Sequence, residues 1–358
     1  MPELPGNPQP YNMEHQARLM SSILGGTAGG RTETFDSLLS SAKGNVQIIT
    51  ERWYNSSMPA SAIERDLHEL WQTCYTAAKI ADHESPDQDR LVLYLAQIQN
   101  LGPLERFDKR DESRSTIEAP HTTDGATWTD LPYFVADMLY FWENESRNMS
   151  NKELINVSSF FAKVAAMRIA RDRMYALGLH VLREALEVEG PLGSLSEDPP
   201  SLPPPAVVNI FNPHAQPAAP VEEERPELSI ARLLRAANAW ILVAGRNMVQ
   251  LTEAQQWRSD EEEDTDPGPL FQASPRFNPQ KRYFSEERWL FWLERLEQLG
   301  QQAASEGEED LQSFCQEVAQ NLINGSEHMT YRVSLLWRPE YGGPQITLPP
   351  PRPWSRPF

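Results

Sequence analysis

Apolar residues recur at three- and four-residue steps along most of the chain. Between residues 60 and 80, Ile63, Leu67, Leu70, Trp71, Cys74, Tyr75 and Ala78 form one stripe, while Glu64, Arg65, Asp66 and Glu69 occupy the other face. That spacing predicts an amphipathic helix with one buried side. Ser37 to Trp53 carries Leu38, Leu39, Val46, Ile49 and Trp53 at similar spacing. Ser85-Pro86-Asp87-Gln88 predicts a sharp helix start, with Ser85 as cap, Pro86 at the first helical position and Gln88 closing a capping box. Leu101-Gly102-Pro103 predicts its end. Trp128-Thr129-Asp130-Leu131-Pro132 predicts another start, followed by inward Leu131, Val135, Met138, Leu139 and Trp142. Two helices are expected from Lys152 to Met174, burying Leu154, Phe160, Phe161, Val164 and Met167, and from Tyr175 to Val188. Leu228 to Leu251, a helix capped by Ser285 and a last one from Glu308 to Ile323 complete the set. Residues 104–126 read as loop. No period-two block is long enough for a sheet, and Val333 to Trp337 is an isolated candidate strand. The expected fold is all-α: a single irregular bundle of roughly eight to ten helices with long proline-rich and acidic insertions.

The helical pattern also sets the expected organisation. Residues 1–32 are expected to be mostly disordered, and 33–190 to form the first half of the helical domain. Residues 191–227 are a proline-rich insertion, since proline fixes φ and removes a backbone donor. Residues 228–323 form the second half of the same domain, with an acidic insertion at 257–282 that contains Asp260 to Asp266, and 324–358 are a proline-rich tail.

Charge narrows the function. The 358 residues hold 32 basic and 51 acidic side chains, a formal net charge of −19. This argues against a nucleic-acid backbone or an anionic lipid surface as partner, because both need local positive charge. No apolar run approaches the roughly 20 residues that span a bilayer. Met1 to Gly6 has neither a basic n-region nor an apolar h-region. The expected location is therefore intracellular, cytoplasmic or nuclear, with no transmembrane segment. Cys74 and Cys315, the two cysteines, are expected to be reduced core fillers.

Several phrases resemble a large fungal family of α-helical proteins known only as a domain of unknown function. They are Leu70-Trp71 with its helix, Asp89-Arg90-Leu91-Val92, Trp128-Thr129-Asp130-Leu131-Pro132, Arg183-Glu184-Ala185-Leu186-Glu187, Trp240-Ile241, and Phe284-Ser285-Glu286-Glu287-Arg288-Trp289-Leu290-Phe291-Trp292. Together they cover most of residues 60 to 320. The resemblance implies a cytosolic or nuclear fungal protein with one helical domain and a long internal insertion. It implies no catalytic residue.

Candidate chemistry is sparse, and no catalytic, cofactor-binding or metal-ligating residue is expected. Gly25 to Thr32 has P-loop glycine spacing, but Arg31 replaces the lysine and the lead-in reads as helix, so a plain glycine loop is expected. His68-Glu69 begins like a zincin motif, but Gln72 stands where the second histidine belongs; His68 is expected beside the apolar face of its helix, on the boundary between the buried and solvated sides. His180, between Leu179 and Val181, is expected as a satisfied core polar group. Seven tryptophans, Trp53, Trp71, Trp128, Trp142, Trp240, Trp289 and Trp292, are expected as core anchors, with Trp289 and Trp292 as candidates to line a pocket. Pro203, Pro204 and Pro205, with Pro350, Pro351, Arg352 and Pro353, are candidate polyproline ligands for protein partners. Two functions follow. The first is a non-enzymatic protein-protein interaction or regulatory protein acting through its proline-rich or acidic segments. The alternative, which only the fungal resemblance encourages, is a small-molecule binding or modifying accessory protein of fungal secondary metabolism, with an aromatic-lined pocket between helices.

Overall fold

A computed structural model describes residues 34–55, 60–107, 117–118, 121–122, 124–170, 173–196, 228–254, 266–280 and 283–326. Ten α-helices occur among them: α1 (Phe35–Asn55), α2 (Ala60–Ile80), α3 (Pro86–Gln99), α4 (Phe134–Glu145), α5 (Asn151–Ala166), α6 (Met174–Leu186), α7 (Ile230–Ala254), α8 (Pro269–Gln272), α9 (Glu286–Glu306) and α10 (Glu309–Ser326). Four two-residue strands pair as two small antiparallel hairpins between α3 and α4. The fold is all-α, and no described helix is long and apolar enough to cross a membrane.

The helices pack in a chain of pairs. The α1/α2 hairpin sets α2 against α5, α5 against α7, α7 against α10, and α10 against α9. The amphipathic stripes explain this order, because each buried face needs an apolar partner. One contiguous core runs from Leu38 to Leu322, and all seven anchor tryptophans are in it. Where α6 meets α7, Gly178 lets the Trp240 ring approach its backbone; a Cβ there would lie 2.8 Å from the indole.

Local chemistry fixes the ends. Ser85 Oγ accepts from the Asp87 amide, as its sequence predicts, and Ser285 Oγ accepts from the Arg288 amide. Gln88 does not close the expected box. It is buried, and its side-chain amide donates to the Asn156 carbonyl on α5 at 2.8 Å. The reciprocal box stands instead at Ser150 and Glu153.

Residues 128–132 do not begin α4. Trp128, Leu131 and Tyr133 all have positive φ, and the helix starts at Phe134. The Asp124 carboxylate holds this turn, accepting from the Tyr133 amide at 2.6 Å and pairing with Arg173 at 2.9 Å. The Pro132 carbonyl accepts from Trp71 Nε1. The helix expected through Met174 ends at Ala166. Positive φ at Arg168 and Ala170 turns the chain, leaving Met167 55 % exposed rather than inward. Part of the segment expected as an acidic insertion is also built into the body: Phe271, on α8, is fully buried against Phe291.

Candidate functional site

The last turn of α6 carries Arg183 and Glu184, with His180 one turn earlier and Glu187 as the residue that caps its end. Residues on its two sides have different fates. Glu187 turns inward to a contact with no solvent access, and Arg288 from α9 meets it there, both side chains at 0 % exposure. Arg288 Nε donates to Glu187 Oε1 at 2.5 Å and its Nη2 donates to Oε2 at 3.0 Å. Trp292 Nε1 donates to Oε1 at 2.7 Å, and the Gly268 amide donates to Oε2 at 2.7 Å. The Glu187 carbonyl accepts from the Leu270 amide. Four donors saturate the lone pairs of one carboxylate, so this group has nothing left for a substrate. It is a clamp that joins α6, α8 and α9. Gly268 is required at that spot, since a Cβ would stand 2.6 Å from the Glu187 side chain.

The outer side of the same turn borders a cavity of about 360 Å³. Trp142, Glu143, Ser146 and Arg147 from the end of α4 and the turn after it form one wall. His180 and Glu184 form a second. Glu189 to Pro191, with Ile230 and Leu233 of α7, close it. The Ile230 amide donates to the Pro191 carbonyl and the Ala231 amide to that of Leu192, so the two flanks of residues 197–227 are stitched together beside the cavity. The volume lies at the low end of the roughly 300–1,000 Å³ of ligand pockets.

His180 is not the satisfied core group expected. Its Nδ1 is buried with no hydrogen-bond partner among the described residues. Burial, and then the nearby Arg183 charge, push its pKa down to about 4. The imidazole is therefore neutral near pH 7, with one nitrogen able to accept and the other to donate. A neutral imidazole beside a carboxylate (Glu184) can hold a ligand's N–H or O–H, or take its proton.

His68 is buried rather than at a boundary, and its Nδ1 lies 2.6 and 2.9 Å from the two Asp137 oxygens, tying α2 to α4. Burial raises the Asp137 pKa, while the His68 hydrogen bond opposes the rise. Cys74 and Cys315 are free and buried, and burial pushes both thiols up to about 12, which fits their expected role as core filler. Among the described residues no group of three histidine, cysteine or acidic side chains could hold a metal ion. A wider groove of about 610 Å³ lies between α1 and the end of α3, lined by Lys43, Tyr54, Tyr94, Leu101 and Trp128.

Trp289 and Trp292 are brought together, with ring centroids 5.7 Å apart, but both are buried and line neither the cavity nor the groove. Pro203, Pro204, Pro205, Pro350, Pro351, Arg352 and Pro353 lie outside the described residues. Sequence reasoning missed the His180 cavity. Its walls come from residues 142–147, 180–191 and 228–233, and only the fold makes them neighbours.

A protein family described as "Protein of unknown function (DUF3632)" matches residues 71–296. The chain belongs to this family. The matched stretch contains every residue lining the His180 cavity and all of the Glu187–Arg288 clamp, whereas α1, one wall of the wider groove, lies outside it. A fungal relative, "Oxopyrrolidines biosynthesis cluster protein G" of Penicillium oxalicum, is 28% identical over 277 residues, which span 77% of this chain and 71% of the relative. No solved structure matches the chain.

Proposed function

We propose that this chain is a small-molecule binding or modifying accessory protein of fungal secondary metabolism. The observation that carries this reading is the His180 cavity: a space of about 360 Å³ bordered by a neutral imidazole whose buried Nδ1 has no partner among the described residues. A buried polar atom left unsatisfied costs free energy, and at a cavity wall a ligand or a water can complete it. The printed name of the Penicillium relative, a biosynthesis cluster protein, supports the metabolic setting. The protein-contact reading depends on the proline segments beyond the described residues, and no observation favours it over the cavity.

Equilibrium dialysis against a fungal metabolite extract, read by mass spectrometry, tests the proposal. Gly190→Trp supplies the control, since Gly190 lines the cavity and a Cβ there meets only the Ile230 side chain at 3.6 Å. The expected result is at least one compound retained by the wild type and lost from Gly190→Trp, with the helical circular dichroism unchanged. Retention of nothing, or of the same compounds by both proteins, contradicts it.

A further inference from the structure

The wider groove of about 610 Å³ has a helix face on each side. On α1, Lys43, Gln47, Thr50 and Tyr54 line it at steps of four, three and four, and on α3, Tyr94, Ile98 and Leu101 do the same at steps of four and three. The two helices run in the same direction: Arg90 pairs with Asp36, and Tyr94 Oη donates to the Ala42 carbonyl further on. Tyr54 and Leu101, one on each wall, are large apolar side chains left 49 % and 59 % exposed. Among the lining residues Lys43 and Glu51 carry charge, and their charges cancel. Two ridges at helical spacing, with apolar side chains between them and no net charge, suit the apolar face of a third helix.

The sequence just before α1 has that pattern. Residues 1–33 lie outside the described residues, but Met13, Ala17, Met20 and Leu24 recur at steps of four, three and four, while Glu14, Arg18 and Ser21 fall on the other side of a helical wheel. Glu14 and Arg18 cancel in charge, and Gly25-Gly26 is a helix stop. We propose that residues 13–24 dock in the groove as an amphipathic helix antiparallel to α1. The lengths agree: Met13 to Leu24 and Lys43 to Tyr54 each span about 16 Å as helix. The tether fixes the direction. Residues 25–33 reach at most about 30 Å. Along α1 from Phe35, Lys43 lies about 12 Å away and Tyr54 about 28 Å. Leu24 at the Lys43 end leaves slack in the tether, whereas the parallel setting stretches it nearly to its limit. So short a tether also keeps the segment at high effective concentration beside its own groove rather than that of a second copy. The glycine-rich stretch from Gly25 to Gly30, which lacks the lysine of a phosphate loop, serves as the return turn of this strap.

Disulfide trapping in the full chain tests the strap. Docked antiparallel, Ser21 faces α1 level with Gln47, whereas Ile48, the next residue, is exposed and does not line the groove. A disulfide closes only when the two Cα atoms come within about 4.4–6.8 Å, so Ser21→Cys/Gln47→Cys is expected to close within one chain, under mild oxidation, about tenfold faster than Ser21→Cys/Ile48→Cys, which has the same tether. The native Cys74 and Cys315 are buried and do not compete. Adding Met20→Asp/Leu24→Asp is expected to remove the difference while the helical circular dichroism stays unchanged. Equal rates for the two pairs, or a difference that survives the aspartates, would overturn the proposal. Disulfide-linked dimers as the main product of the Gln47 pair would give the groove to a second copy and overturn it as well.

Discussion

His180 enters the fold without its proton, and that has a thermodynamic sign. Its pKa falls from 6.5 to about 4 in the folded chain, so between those values the unfolded chain binds more protons. Stability is then full above pH 6.5 and declines as pH falls toward 4, by about 3 kcal/mol if the whole shift is expressed. Urea unfolding at a series of pH values should show a shallower decline in His180→Phe than in wild type; equal slopes would contradict the assignment. The Glu187–Arg288 pair makes a different forecast. Arg288→Met strands a buried carboxylate and is expected to cost about 3–5 kcal/mol, whereas Glu187→Gln/Arg288→Met should cost clearly less than the two single changes together. Additive losses in urea unfolding would mean that the pair is not coupled. Cys74 and Cys315, with thiols near 12, are expected to react with a thiol reagent only on unfolding; fast labelling of the native chain would refute their burial.

The helices show where periodicity suffices and where it fails. Stripes such as Ile63 to Ala78 specify both the helix and its inner face, because burial of one side is a local property of spacing. Turns are less legible. Trp128 to Pro132 reads as a helix start, but Asp124 just before it, with Arg173 and the Trp71 indole from distant elements, holds a turn with positive φ at Trp128, Leu131 and Tyr133. Met167 has the right spacing to be buried and is exposed because α5 stops one residue earlier. The close contact of α6 with α7 was equally invisible, since a glycine in a helix carries no sign of its neighbour. Gly178→Ala would raise the intrinsic helix propensity of α6, yet its Cβ would sit 2.8 Å from Trp240. It is expected to lower stability by about 1–3 kcal/mol through overpacking. A higher melting temperature would show that the Trp240 ring can move aside.

Taken together, the ten helices form one core in which the packing is readable from the sequence and the cavity is not. The tryptophans announce themselves as anchors because their size leaves few other places for them. Trp289 and Trp292, the candidates for a pocket, serve instead to back the Glu187 clamp. That clamp fixes the last turn of α6, whose outer side borders the cavity. The family match covers the residues of both. A single measurement bears on all of this. The ring resonances of His180, assigned by their loss in His180→Phe, should shift saturably when small polar fragments are added to the full chain, and should stay still in Gly190→Trp. Resonances that no fragment moves, or that move alike in both proteins, would contradict a small-molecule site at His180.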